Sequence, residues 1–390
     1  MLVLPPLSLY VHIPWCVRKC PYCDFNSHEA KGDIPEADYV AALIADLQAD
    51  LPQVQGRKLI SIFFGGGTPS LFSPAAIGEI LNAAEQRIGF AADIEITLEA
   101  NPGTFEQARF RGYRSAGVNR LSIGIQSFNN QQLSALGRIH DRASAITAAS
   151  SARNAGFDNF NLDLMHGLPD QSVNAALADL KLALDMNPTH LSWYQLTIEA
   201  NTAFYKQPPS LPDEDILGDI QEQGHQLLTA AGFNHYEVSA YAQPERQSRH
   251  NLNYWQFGDY LGIGAGAHGK ITQADSGHIL RHSKTRAPAN YLARSRETAG
   301  NFIASSTQIA PQELPLEFLM NALRLMDGVP FELFQQRTGV DFAVVAPQWQ
   351  TLVTKGLLQP ADKYLATTPL GFRFLNTVLG ALAEVDSQSK

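Results

Sequence analysis

Apolar residues fall in short dense runs through the first half of this chain, at 7–13, 59–64, 94–99, 120–126, 159–165 and 190–196. Between them, segments such as 36–51, 74–88, 141–155 and 172–184 space their apolar residues three and four apart, as an amphipathic helix does. Several runs lack a strict two-residue alternation, as strands covered by helices on both faces do. Six βα units in succession predict an α/β fold with a parallel sheet, curved into an incomplete barrel or laid out as an open doubly wound sheet. The pattern does not choose between those two.

Polar and glycine signatures stand at the ends of these runs. The first leads into a cysteine loop, the second into Gly65-Gly66-Gly67-Thr68-Pro69, and the third into Glu99-Ala100-Asn101-Pro102. The fourth ends at Gln126-Ser127-Phe128, the fifth carries Asp163 and ends in His166-Gly167, and the sixth passes Tyr194 and Gln195. Parallel α/β folds gather ligands at the carboxyl ends of their strands, so one shared site is expected there. Past residue 205 the rhythm breaks. A proline-rich loop, a helix near 214–231 and a strand near 235–241 precede the stretch Arg249-His250-Asn251-Leu252-Asn253-Tyr254-Trp255 and a glycine-rich segment at 260–269. Short helices within 314–358 and a small hairpin within 365–379 leading to a terminal helix suggest a winged-helix-like module, from which no DNA binding follows. The expected division is 1–235 for the barrel, 236–305 for a connecting segment and 306–390 for the C-terminal module.

Bulk properties narrow the class. The 390 residues carry a net charge of −9, which argues against a protein built to coat nucleic acid. No apolar run reaches the roughly 18 residues of a membrane span. The apolar start has no basic region and contains Pro5 and Pro6, so it reads as a strand rather than a signal. A soluble, cytoplasmic protein is the expectation, with peripheral membrane association left open.

Cys16, Cys20 and Cys23 are the chain's three cysteines, spaced C-x3-C-x2-C just after the first strand. Three thiolates can bind three irons of a 4Fe–4S cluster and leave the fourth iron to a chelating small molecule. Two other readings stay open: a zinc site with His12 or His28 as fourth ligand, and a disulfide with a spare thiol. Trp15 and Tyr22 would shield a cluster from water. The triple glycine would let backbone approach an ammonium group, or it is only a tight turn.

Tyr10-Val-His-Ile-Pro-Trp-Cys16, the cysteine loop and Gly65–Gly67 with Thr68-Pro69 resemble the radical S-adenosylmethionine (SAM) enzymes, more narrowly the oxygen-independent coproporphyrinogen III oxidase group. Leu121-Ser-Ile-Gly-Ile-Gln126, Asp163-Leu-Met-His-Gly-Leu-Pro169 and the C-terminal module extend the likeness over nearly the whole chain. The resemblance implies a partial (β/α)6 barrel with the cluster at its mouth and SAM on the open iron. It assigns Cys16, Cys20 and Cys23 to the cluster. Gly66, Gly67 and Thr68 would hold the methionine end of SAM, with Tyr10 nearby, and Glu99, Gln126, Arg138 and Asp163 would meet its ribose or charged parts. Read alone, Arg138 is also compatible with a helix-surface charge, and Gln126 with a sheet-end hydrogen bonder.

Two departures stand out. Oxidases of this group carry a further cysteine two positions after the third, where this chain has Phe25, and they have a longer segment before the first strand. Both point toward relatives of the oxidase, the HemW haem chaperones, whose H-N-x-x-Y-W motif is matched by His250 to Trp255. The expectation is a haem-binding protein that passes haem to an acceptor such as a respiratory haem protein, with His250 as haem ligand and Tyr254 and Trp255 as an apolar wall. The alternative is oxidative decarboxylation of porphyrinogen propionates, with the cofactor supplying the radical.

Overall fold

The structure, a computed structural model, describes residues 2–296 and 301–383, so 297–300 of the expected connecting segment and 384–390 of the expected C-terminal module lie outside it. The six apolar runs form parallel strands β1 (Leu7–Ile13), β2 (Leu59–Gly66), β3 (Phe90–Ala100), β4 (Arg120–Gln126), β5 (Phe160–His166) and β6 (His190–Gln195), paired in sequence order. Helices α1 (Glu36–Asp50), α2 (Pro74–Arg87), α3 (Thr104–Ala116), α4 (Asn130–Ala135), α5 (Arg142–Asn154) and α6 (Val173–Asp185) make the crossovers. Ser73, Asp141 and Ser172 start α2, α5 and α6 as N-caps, each side chain accepting a backbone N–H of the first turn. The short α4 is capped in the same way by Asn129.

The strands do alternate, but with the polar face inward. Leu7, Leu9, Val11 and Ile13 of β1, like Leu121, Ile123 and Ile125 of β4, pack outward into the cluster shared with the helices. The other face carries Ser8, Ser61, Glu95, Thr97, Arg120, Ser122, Asn161, Asp163, His190 and Ser192, joined across strands by hydrogen bonds such as Ser8–Ser61 (2.7 Å) and Ser122–Asp163 (2.9 Å). A polar lining survives burial only when its groups pair with one another. Residues from the second to the sixth strand wall one cavity, so the sheet is curved into a partial barrel rather than laid open.

The expected connecting segment is part of the sheet. A hairpin, β7 (Asn234–Glu237) and β8 (Ala240–Ala242), replaces the single strand expected at 235–241 and adds antiparallel to β6. On the opposite edge β9 (Asp259–Ile263) pairs parallel with β1, followed by antiparallel β10 (His268–Gln273), β11 (His278–Lys284) and β12 (Ile303–Gln308). The described sheet thus has twelve strands in the order β12-β11-β10-β9-β1-β2-β3-β4-β5-β6-β8-β7. The C-terminal module packs around Phe318, Phe334 and Trp349 in a second cluster that also takes in Tyr236, Phe257 and Ile279. It meets the barrel through backbone bonds Val238 N–H to Arg324 (3.1 Å) and Met326 N–H to Tyr236 (3.0 Å). Its hairpin closes earlier than expected, across a bridge between Leu358 and Thr367. Thr368 then caps a helix begun by Pro369, which keeps 369–383 largely helical.

Candidate functional site

The cysteine loop leaves β1 through Trp15–Cys16, which pairs with His28–Glu29, so both ends of the loop are tied together. The triple glycine runs beneath it. Gly67 N–H donates to the Ile13 carbonyl (2.8 Å) and Thr68 N–H to the Trp15 carbonyl (2.7 Å). These contacts explain the glycines. A Cβ on Gly67 would stand 2.5 Å from the Trp15 oxygen, and one on Gly66, at φ +116°, 2.6 Å from the His12 ring. Close backbone packing beneath the loop therefore already requires both glycines.

Each cysteine sulfur has a polar partner. Thr68 hydrogen-bonds Cys16, Arg138 Nη1 donates to Cys20 Sγ (3.8 Å), and Ser27 Oγ lies 3.6 Å from Cys23 Sγ. Burial pushes the Cys16 thiol up, with the Thr68 bond pulling the other way. All three cysteines are free. Among the described residues no three His, Cys, Asp or Glu side chains converge on a single-ion site. His12 is also spent, with one ring nitrogen on the Tyr10 hydroxyl (3.0 Å) and the other on the Asn26 carbonyl (2.9 Å). That set suits separate cluster corners and does not suit one tetrahedral zinc.

From the loop a cavity of about 1050 Å³ runs into the barrel. Its wall includes Cys16, Cys20, Cys23, Gly66, Gly67, Thr68, Glu99, Gln126, Arg138 and Asp163. Arg138 is no surface charge. It follows Gly137 and donates to Asn101 Oδ1 and the Gly124 carbonyl, both at 2.7 Å. Asn101 in turn donates to Thr68 Oγ1 (3.1 Å), so a continuous chain of polar contacts links Cys16 to Cys20. Gln126, at φ +69°, turns its side chain to accept from the Tyr194 hydroxyl (2.9 Å). Asp163 accepts from Ser122 (2.9 Å) and Asn161 (2.8 Å). Glu99 is pushed up to about 8, by burial first and then by Asp163, against a hydrogen bond from Gly66 N–H. Sequence reasoning missed Ser122 and Ser192, and named Asn101 and Tyr194 only as strand-end polar residues without a role. Their signal was position, since all lie on or just beyond strands that end at this cavity.

Two expected residues lie outside the wall. Tyr10 packs against Phe63, its hydroxyl on His12. His250 sits in a helix, α7 (Arg249–Trp255), that plugs the barrel. The buried Glu95 accepts the N–H groups of Arg249 and His250 (both 3.1 Å), and Asn253 donates to Ser8 Oγ (2.9 Å). His250 itself is 2% exposed. Nδ1 meets Ser61 Oγ at 3.0 Å and Nε2 meets the Tyr254 hydroxyl at 3.2 Å. Burial first, and Arg120 second, hold its pKa down to about 3. Both ring nitrogens are thus engaged inside the fold, and the imidazole is not part of the cavity wall. His250→Ala should therefore cost about 2 kcal/mol or more in urea unfolding and leave the Soret band of added haem in place.

Over 379 residues, 97% of this chain and 98% of the relative, the sequence is 53% identical to the heme chaperone HemW of Escherichia coli. The chain belongs to the HemW family. The Haemophilus influenzae HemW is likewise 53% identical over 96% of the chain and 97% of that relative. Mouse radical S-adenosyl methionine domain-containing protein 1, mitochondrial, is 36% identical over 95% of this HemW-family chain and 86% of its own. The Radical SAM superfamily model matches residues 10–183 and the HemN C-terminal domain model residues 309–374. Coproporphyrinogen III oxidase (HemN) from Escherichia coli, described as a radical SAM enzyme, has the same fold. Its TM-score is 0.81 at 23% identity, over 97% of this chain and 90% of that one. Membership of the radical SAM superfamily implies a 4Fe–4S cluster and SAM, and the donor set described above fits both.

Proposed function

We propose that this chain is a haem chaperone, binding haem and handing it to an acceptor protein while it holds a 4Fe–4S cluster and exchangeable SAM. The observation that carries the reading is the 53% identity to HemW over essentially the full length of both chains. Phe25, in the place of the oxidase's further cysteine, supports it. Among the described residues no helix is long and apolar enough to cross a membrane, and a cytoplasmic site of action fits three free thiols.

In this reading Cys16, Cys20 and Cys23 hold the cluster, and Thr68, Arg138 and Ser27 stabilise their thiolates. When bound, the cluster and SAM supply one-electron cleavage of a sulfonium. Gly66, Gly67 and Thr68 line the part of the cavity next to the loop, where they would seat the methionine end. Glu99 and Asp163 line the same cavity, where they would meet the positive charge and the ribose. Two buried carboxylates that repel each other make a site completed by a cation.

That arrangement sets a pH dependence. Glu99 holds a proton below about 8, and a cationic ligand must expel it. SAM affinity should fall as pH drops below 8, by at most about tenfold per unit. Calorimetry in buffers of different ionisation enthalpy should register a released proton, and Glu99→Gln should remove both effects. For the unliganded fold the sign is opposite: a carboxyl raised from 4.5 to about 8 makes a stability contribution that is lost as pH rises through that window.

The reading as a whole is tested by anaerobic reconstitution with iron, sulfide and haem. The reconstituted chain should bind haem, pass it to an apo haem protein and leave coproporphyrinogen unchanged. Release of carbon dioxide with formation of protoporphyrinogen would establish the oxidase instead.

A further inference from the structure

The mouth of the cavity is apolar where an acidic, water-soluble surface has no need of it. Val17 (48% exposed) and Phe25 (63%) project from the cysteine loop, and Ile139 (59%) projects from the segment after α4. All three line the opening, alongside Arg18. The two segments are held face to face, since a Cβ on Gly137 would meet the Pro21 ring at 2.8 Å. Phe25 is the most exposed large hydrophobic side chain among the described residues.

Despite the net charge of −9, Arg18 lines the same opening, and Lys19 and Arg286 are attached to the loop that carries Phe25. Lys19 Nζ donates to the Phe25 carbonyl (3.2 Å) and the Ser27 carbonyl (3.3 Å). The Arg286 backbone is tied to the loop by Asn26 Nδ2 (3.0 Å). Asp24 and Glu29 are exposed acids on the same loop, so it is not uniformly basic, but Arg18, Lys19 and Arg286 outnumber them. An apolar rim edged by cations complements a flat apolar molecule with carboxylates along one side.

We infer that haem docks across this rim, one face of the macrocycle on Val17, Phe25 and Ile139 and its propionates toward Arg18 and Arg286. The inference rests on the chaperone reading and names the place where the cargo sits. Size decides between haem and a protein partner. Three side chains expose roughly 300 Å², well under the ~800 Å² that each side of a stable protein interface buries, yet comparable to one face of a porphyrin. Haem in that position covers the cavity mouth, so bound SAM leaves only after the haem does.

The test is a haem titration of the reconstituted chain and of the triple variant Val17→Ser, Phe25→Ser, Ile139→Ser, followed by visible absorbance. These exposed positions leave the core untouched, and iron content and SAM binding serve as controls. Haem affinity should fall at least about tenfold in the triple variant. Arg18→Glu with Arg286→Glu should weaken haem but not haem dimethyl ester, whose propionates carry no charge. Haem should slow SAM release several-fold in the parent and not in the triple variant. Unchanged haem affinity in the triple variant overturns the rim site alone, and if delivery to the acceptor is then lost, the patch belongs to a protein partner. Failure of the parent chain to bind haem overturns the chaperone reading and the rim together.

Discussion

Cys20→Ala is expected to yield a folded chain that holds no 4Fe–4S cluster after anaerobic reconstitution, with iron and sulfide near background and the brown absorbance absent. The chain has three cysteines, so no other thiol stands ready to replace the lost one. The defect should be local. The loop's ends are fixed by the pairing of Trp15–Cys16 with His28–Glu29 and by Asn26 Nδ2 on the Ala265 carbonyl (2.8 Å). None of those contacts uses a sulfur, and Cys20 is only half-buried. Urea unfolding of the apo chain should shift by less than about 1 kcal/mol. Haem binding at the rim would also survive, since Val17 and Phe25 are anchored by the same loop ends. An apo chain that unfolds at once on losing Cys20 would mean that the cluster, and not the hydrogen bonds, shapes the loop.

Much of this site was legible because it is built from strand ends. Strands at 7–13 and 120–126 have the boundaries their apolar runs suggest, and the residues just past β1, β2 and β3 and within β5 line the cavity. What could not be read depends on pairings between distant segments. The inward face of the barrel looks like interruptions of apolar runs until Ser8, Ser61, Asn161 and His190 are seen to pair. The parallel contact of β9 with β1 joins residues some 250 apart, which no local period reports. The surroundings of His250 were hidden for the same reason. In sequence it stands beside two aromatics, as a porphyrin pocket would want, whereas its partner Ser61 is 189 residues away. The exposure of Phe25 likewise became visible only in the fold.

The second large effect comes from such a distant pairing. Lys284→Ala should destabilise the apo chain by about 3–5 kcal/mol in urea unfolding. Lys284 is 2% exposed and donates to Asp46 (2.6 Å) and to both oxygens of Asp50 (3.0 and 2.8 Å). Removing it leaves two carboxylates buried without their cation, and that desolvation far exceeds the lost methylene contacts. Burial already pushes Asp46 up to about 6 in spite of Lys284, so without the lysine it must rise further. The folded variant then holds protons that the unfolded chain has released, and its stability falls as pH rises. The deficit should be largest near pH 8 and shrink toward pH 5, whereas a simple packing defect would not vary with pH. Asp46 also accepts the Gly264 N–H (3.1 Å) and the Tyr291 hydroxyl (2.7 Å). The Gly264 turn continues into Ala265, whose carbonyl holds Asn26. Loss of this buried ion pair should therefore reach the cluster loop, and reconstituted Lys284→Ala should lose iron faster than the parent at temperatures where both remain folded.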